Sequence, residues 1–244
     1  MFHNFIHAYV LFFAVLLPGI TIGLVALNAQ AAGLGPSRAI RAVIVTAGVF
    51  GLWYAVASMV TRSGLMMPPP TITDPPYVMM FMLGGAGTLW ALARLTATGR
   101  AISDEASHAQ LIGFQIPRIM GGVFLIGWAL GEIPWQFALP AGLGDIWAGI
   151  AGYTAMRAAA RGDADAEAKI QRANVIGLAD FVVAVLTGLM TSEGFLHLMS
   201  HDAPNIINAD PLGLFPGFFV AIFLAFHAVS LSRLRRGSIA AQRA

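Results

Sequence analysis

Residues 5–28 read FIHAYVLFFAVLLPGITIGLVALN, twenty-four positions without one Asp, Glu, Lys or Arg. At 1.5 Å per residue such a helix reaches roughly 36 Å, enough to cross a hydrocarbon layer of about 30 Å. A helix on the surface of a soluble domain is apolar along one stripe only, whereas this one is apolar all round. No positive stretch precedes the run and no small-residue cleavage site ends it. It therefore reads as a first anchored helix and not as a cleaved leader.

Comparable stretches follow at 38–61, 76–98, 110–131, 135–157, 172–192 and 212–233. The linkers between them carry helix breakers: Gly33-Leu34-Gly35-Pro36, Pro68-Pro69-Pro70 ahead of Asp74-Pro75-Pro76, Gly131-Glu132-Ile133-Pro134, and Asp210-Pro211. The proline-rich second linker is expected to be extended and stiff. The expected fold is all-α: one polytopic membrane domain over 1–244, a bundle of seven transmembrane helices. Composition agrees, with 57% hydrophobic residues, 11% charged and a mean hydropathy of +0.74; soluble domains carry about 25% charged residues. The longest polar stretch, Arg157 to Arg172, is a loop, which leaves no room for a second domain. The absence of cysteine excludes disulfides, thiolate metal sites and cysteine nucleophiles.

The positions of lysine and arginine orient the bundle. Arg38, Arg41, Arg94, Arg100, Arg157, Arg161, Lys169, Arg172, Arg233, Arg235, Arg236 and Arg243, twelve of the 14 basic residues, fall on one side. Arg62 falls on the other side and Arg118 lies within a span. The expectation is an N-terminus outside and a C-terminus in the cytoplasm, in the inner membrane of a bacterium. Glu132, Glu193, Asp202 and Asp210 are then outer residues, as are His3, His7, His197 and His201. Asp163, Asp165 and Glu167 alternate with small residues in a cytoplasmic loop and read as a solvated linker.

Four ionisable residues remain inside apolar stretches: Arg118, Asp145, Asp180 and His227, each in a different span. Charge inside hydrocarbon costs a few kcal/mol per residue at the low end of estimates, so such groups pair and mark function. Helical rise puts Arg118 and Asp180 roughly 12 Å from the cytoplasmic ends of their helices, Asp145 about 18 Å and His227 about 9 Å. Gln115 and Asn174 share that inner half. One arginine against two carboxylates leaves an excess negative charge, balanced by a proton, a cation or His227 as imidazolium. A binding site or relay for a small ion, proton or polar solute is therefore expected at Arg118, Asp145, Asp180, His227, Gln115 and Asn174. The competing reading is a buried ionic cluster that only holds the bundle in register. Pro117 precedes Arg118, and Pro140 stands five residues before Asp145, so backbone breaks are expected beside both charges.

The stretch FALPAGLGD (Phe137 to Asp145), the run Asn174-x-x-Gly177-x-x-Asp180, and a last span with Pro216 and His227-x-x-Ser230-Leu231 carry a resemblance. They resemble a group of bacterial seven-span hypothetical membrane proteins, over roughly the C-terminal half. The resemblance implies a seven-helix fold and nothing about substrate. The layout also matches the three-plus-one-plus-three plan of some sugar carriers, without their Pro-Gln signature.

His3 and His7 are four residues apart, and so are His197 and His201. If both pairs were helical, each would present two imidazoles on one face. Together with Glu193 and Asp202 they could hold zinc or copper, which would make the chain a membrane metalloprotein or metal-dependent enzyme. A haem is disfavoured, since His7 and His227 lie at opposite depths. The HExxH glutamate is missing, no Walker or Rossmann glycine pattern occurs, and the only lysine, Lys169, is in a loop where no retinal could reach it. Gly84-Gly85-Ala86-Gly87 lies within the third span and reads as close helix packing. No groove suits nucleic acid. The expected partner is the bilayer itself, with a homo-oligomer or a larger membrane complex, served by a non-catalytic subunit, as the third reading.

Overall fold

The computed structural model describes residues 2–241, so Arg243 of the orientation count lies outside the described residues. Its elements, in chain order, are α1 (Phe2–Ala31), α2 (Pro36–Arg62), α3 (Tyr77–Leu95), α4 (Ala97–Glu105), α5 (His108–Gly113), a 3-10 segment (Ile116–Gly122), α6 (Val123–Ala129), α7 (Trp135–Arg161), α8 (Ala166–Thr191), a π segment (Phe215–Phe219) and α9 (Val220–Ala241). No strand occurs among the described residues.

Six helices are long and apolar enough to cross a membrane: Phe2–Ala31, Pro36–Arg62, Tyr77–Leu95, His108–Ala129, Ala166–Thr191 and Phe215–Gly237. Seven were expected. The difference is α7, whose 27 residues are long enough but whose glycines, Gln136, Pro140 and Asp145 dilute its apolarity. The outward faces are those of a lipid-facing bundle. Phe12, Val15, Ile44 and Leu52 are each at least 60% exposed, which water would penalise at about 25 cal/mol per Å². The chain is thus a helical, multi-pass membrane protein.

Ion pairs define the two ends of the bundle. At one end Asp210, ahead of the π segment, meets the start of α1 and the end of α2: His7 Nε2 is 3.7 Å and Arg62 Nε 3.8 Å from its carboxylate. At the other end Asp104 of α4 meets Arg94 at 2.7 Å, Arg236 at 3.5 Å and Arg233 at 3.8 Å. The Arg233 guanidinium also donates to the Asp104 backbone carbonyl. The start of α1 and the end of α9 therefore lie at opposite ends.

Three linkers differ from expectation. The helix of the third span stops at Leu95, where Thr96 turns extended and its hydroxyl accepts from the Gly99 N–H to cap α4. The proline-rich linker folds into turns, closed by Thr71 donating to Asp74. It packs on the α8–α9 connection, where the Phe195 N–H donates to the Pro69 carbonyl at 3.0 Å. The polar stretch Arg157 to Arg172, expected as a loop, is helical except over 162–165, since α7 runs to Arg161 and α8 starts at Ala166 and takes in Glu167. In the short turn Arg161 hydrogen-bonds Asp163 at 2.8 Å and holds that carboxyl below its ordinary range.

The central helix α7 positions the site. Its buried Gly142, Gly149 and Gly152 recur at helical spacing and form a shallow stripe. A Cβ at Gly149 would stand 3.0 Å from the Ile116 carbonyl, and one at Gly152 would stand 3.2 Å from the Ile112 carbonyl. The fourth span lies in that stripe, backbone against backbone, the approach that small residues permit in membranes.

Candidate functional site

Arg118 lies in the 3-10 segment and is fully buried. Pro117 has no N–H to give a regular helix, and Gly121-Gly122 offer little resistance to tightening. The backbone break expected beside this charge is present. The one expected at Pro140 is not, because α7 runs unbroken through it.

The Arg118 guanidinium gathers four acceptors. Its Nε donates to Asp145 Oδ1 at 2.9 Å, its Nη1 to the Gly177 carbonyl at 2.9 Å, and its Nη2 to Asp180 Oδ2. The fourth is His227 Nε2, 3.4 Å from Nη1. The plane lies over the Phe181 ring, 3.6 Å from its centroid, a cation–π contact strengthened by the absence of water. Helices α7, α8 and α9 are thus tied to one side chain of the fourth span.

His227 is fixed on its far side. Asn174 Nδ2 donates to the Ile170 carbonyl and to Ser230 Oγ, both at 3.0 Å. Its Oδ1 is left to accept, at 2.8 Å, from His227 Nδ1. Arginine can only donate, so Nε2 presents a lone pair to it. The imidazole is therefore neutral with its proton on Nδ1, and the imidazolium considered above is not the partner of the carboxylates.

The structure brings together Arg118, Asp145, Asp180, His227 and Asn174 of the expected set. Gln115 is buried one turn away on a separate connection: its Nε2 donates to the Phe223 carbonyl at 3.3 Å, and its Oε1 has no hydrogen-bond partner among the described residues. Phe181, Ser230 and three glycines were not foreseen as site residues. A Cβ on Gly121 would enter the Asp145 carboxyl, one on Gly144 the Asp180 carboxyl, and one on Gly177 would meet His227 and stand 2.7 Å from Arg118 Nη1. Gly144 and Gly177 stand within the two runs quoted for the resemblance; their proximity to charge was the available signal.

Two features leave the cluster open to chemistry. Asp180 Oδ1 is buried without a hydrogen-bond partner among the described residues. The Asp145 side chain keeps 16% of its surface and lines a cavity of ≈ 70 Å³ together with Phe137, Phe181, Phe215, Ile207 and Asn208. That is room for a few water-sized species. The site thus offers a carboxylate edge to a small apolar cavity, backed by a fixed positive charge.

The histidine pairs do not converge. His3 and His7 pack edge to face with centroids 4.4 Å apart, and His197 and His201 stand 4.6 Å apart. The second pair is not helical, since α8 ends at Thr191 and Ser200 has a φ of 64°. No group of three or more histidines and carboxylates among the described residues is placed to hold a metal.

Fold and site together define a multi-pass helical membrane protein with a buried ionic cluster at its centre. Residues 75–235 match the family described as Domain of unknown function (DUF8737), and the chain belongs to that family. The match contains every member of the cluster and leaves out α1 and α2. No curated protein and no solved structure matches the chain.

Proposed function

We propose that this chain is a transporter-like protein of a bacterial inner membrane that binds or relays a small ion, proton or polar solute at Arg118, Asp145 and Asp180. The observation that carries the reading is the charge arithmetic of the cluster. One buried guanidinium faces two carboxyls, and the neutral His227 supplies no second positive charge. The balance requires a proton or a cation, and Asp145 lines a small cavity with room for either. A cluster built only for cohesion has no need of such a cavity.

The topology that goes with this reading is seven crossings, with the N-terminus outside and the C-terminus in the cytoplasm. Support comes from the arginines gathered at the Asp104 end, from the opposite placement of the start of α1 and the end of α9, and from the length of α7, roughly 40 Å.

The test is flux in proteoliposomes. Purified protein is reconstituted with an entrapped pH dye, and a potassium diffusion potential is imposed; parallel samples report sodium and divalent cations. Wild type is expected to carry one of these ions, and Asp145→Asn and Asp180→Asn to slow it by roughly 100-fold, the low end of what a positioned proton-transfer group contributes. Wild-type vesicles as tight as protein-free ones to every ion would overturn the reading.

A further inference from the structure

At the Asp104 end the bundle is split. Helix α2 is held to the rest near its middle, where Trp53 Nε1 donates to the Gly217 carbonyl at 3.0 Å and Phe50, Trp53 and Tyr54 surround Phe218. Before that point α2 diverges from α3. Between the α1–α2 pair and α3, α4 and α9 lies a crevice of ≈ 400 Å³, a volume typical of small-molecule sites, which run from about 300 to 1,000 Å³.

The crevice has apolar walls and a basic edge. Its walls are formed by Leu24, Val45, Val49, Leu89, Leu92 and Phe226. Thr21 and Thr46 also line it, but each hydroxyl donates to a carbonyl one turn back on its own helix, so the surface they offer is apolar. At the mouth stand Arg38 and Arg41, three residues apart on the face of α2 that continues through Ala42, Val45 and Val49. Neither guanidinium has an ion pair or hydrogen bond among the described residues. No acidic residue lines the crevice, and the acid nearest in sequence to its α4 wall, Asp104, is already shared by Arg94, Arg233 and Arg236.

We infer that this crevice is a binding site for an anionic phospholipid, with one acyl chain in the apolar slot and the phosphate between Arg38 and Arg41. The geometry matches that chemistry at both ends: a slot that fits an alkyl chain, and two free guanidiniums at the helix end where headgroups lie. Each guanidinium offers paired N–H donors to phosphate oxygens. A neutral, zwitterionic lipid would fill the slot and leave both arginines without net compensation. The site does not depend on the Arg118 cluster, and part of its wall lies outside the family match.

The experiment uses the full chain, delipidated in a non-ionic detergent and titrated with phosphatidylglycerol or phosphatidylcholine, with binding read by native mass spectrometry and by the rise in melting temperature. Wild type is expected to bind phosphatidylglycerol preferentially. Arg38→Gln with Arg41→Gln is expected to bind it about 30-fold more weakly, as removal of two surface arginines from an anionic lipid implies, while its weak response to phosphatidylcholine stays unchanged. Arg38→Lys with Arg41→Lys should keep most of the preference, and Val45→Trp, which fills the slot, should lose both lipids. Equal binding of the two lipids by wild type would overturn the proposal, as would full binding by the glutamine variant. So would an equal loss on replacing Arg157 and Arg172 by glutamine, since those arginines do not line the crevice.

Discussion

Arg118 is at once the most expensive residue in the bundle and the one the rest of the site is arranged around. Replacing it by alanine leaves two carboxyls in the protein interior without their counter-charge, a change that costs about 3–5 kcal/mol at buried pairs. Arg118→Ala is therefore expected to lower the melting temperature in detergent sharply. Asp163→Ala, which removes only surface pairs with Arg161 and Lys169, should leave it unchanged. Equal melting temperatures would remove the claim that the buried pairing stabilises the fold. The glycines make a finer test. At Gly177 a methyl group has no free direction, because His227 and Arg118 occupy the space; Gly177→Ala is expected to cost about 1–3 kcal/mol through forced displacement. At Gly48, where nothing stands within 4 Å, the same change should be neutral or stabilise by up to about 1 kcal/mol. Melting curves of the two variants decide it: similar losses would mean that the close approach at Gly177 is not a real constraint. This scale also shows how much of the site was legible beforehand. Arg118, Asp145, Asp180 and His227 announced themselves because a charge in an apolar run is costly wherever the helix packs. Phe181 under the guanidinium, the neutral state of His227 and the role of Gly121 were not legible, since each depends on which helix faces which.

Among the elements, the irregular ones do the positioning. The 3-10 segment turns Arg118 inward over the glycine stripe of α7, and Pro117 was enough to locate that break in the sequence. Pro140 gave the same signal and misled, because α7 absorbs a proline near its start without interruption. The His197–His201 pair misled in the opposite way. Its four-residue spacing has meaning only on a helix, as His3 and His7 have on α1, and the chain after Thr191 is held instead by irregular bonds, such as Asn205 donating to Thr191 Oγ1 at 3.0 Å. The π segment had no sequence signal beyond Pro216. It leaves the Gly217 carbonyl available to Trp53, the bond that fixes α2 and sets where the lipid crevice closes. Trp53→Phe keeps most of the ring contact with Phe218 and removes the N–H. A loss of about 1 kcal/mol is expected, the usual net worth of one hydrogen bond. The measurement is the denaturation midpoint in mixed micelles, and an unchanged midpoint would show that ring packing alone secures α2.

For the whole molecule the decisive quantity is the parity of the crossings. Six helices pass on length and apolarity, and an even number would put both termini on one side of the membrane. With α7 as a seventh crossing they fall on opposite sides. The structure bears on the choice through its ion pairs, since the start of α1 sits at the Asp210 end and α9 finishes at the Asp104 end. It bears on it also through α7 itself, whose limited apolarity comes from its glycines, Gln136, Pro140 and Asp145 and not from an exposed polar face. Leu143, Trp147 and Ile150 of α7 are each at least half exposed, so the side it turns outward is apolar, as a lipid-facing side must be. Composition alone could not reveal this, which is why the number of crossings was less legible than the membrane class. Two reporters fused in turn to each terminus in cells settle it, one active only in the cytoplasm and one only outside it. The expected pattern is cytoplasmic signal at the C-terminus and external signal at the N-terminus, in line with the arginines at the Asp104 end. Both termini on one side would remove α7 as a crossing. The reverse pattern would keep seven crossings and turn the bundle over, so that Arg38 and Arg41 would meet the outer leaflet.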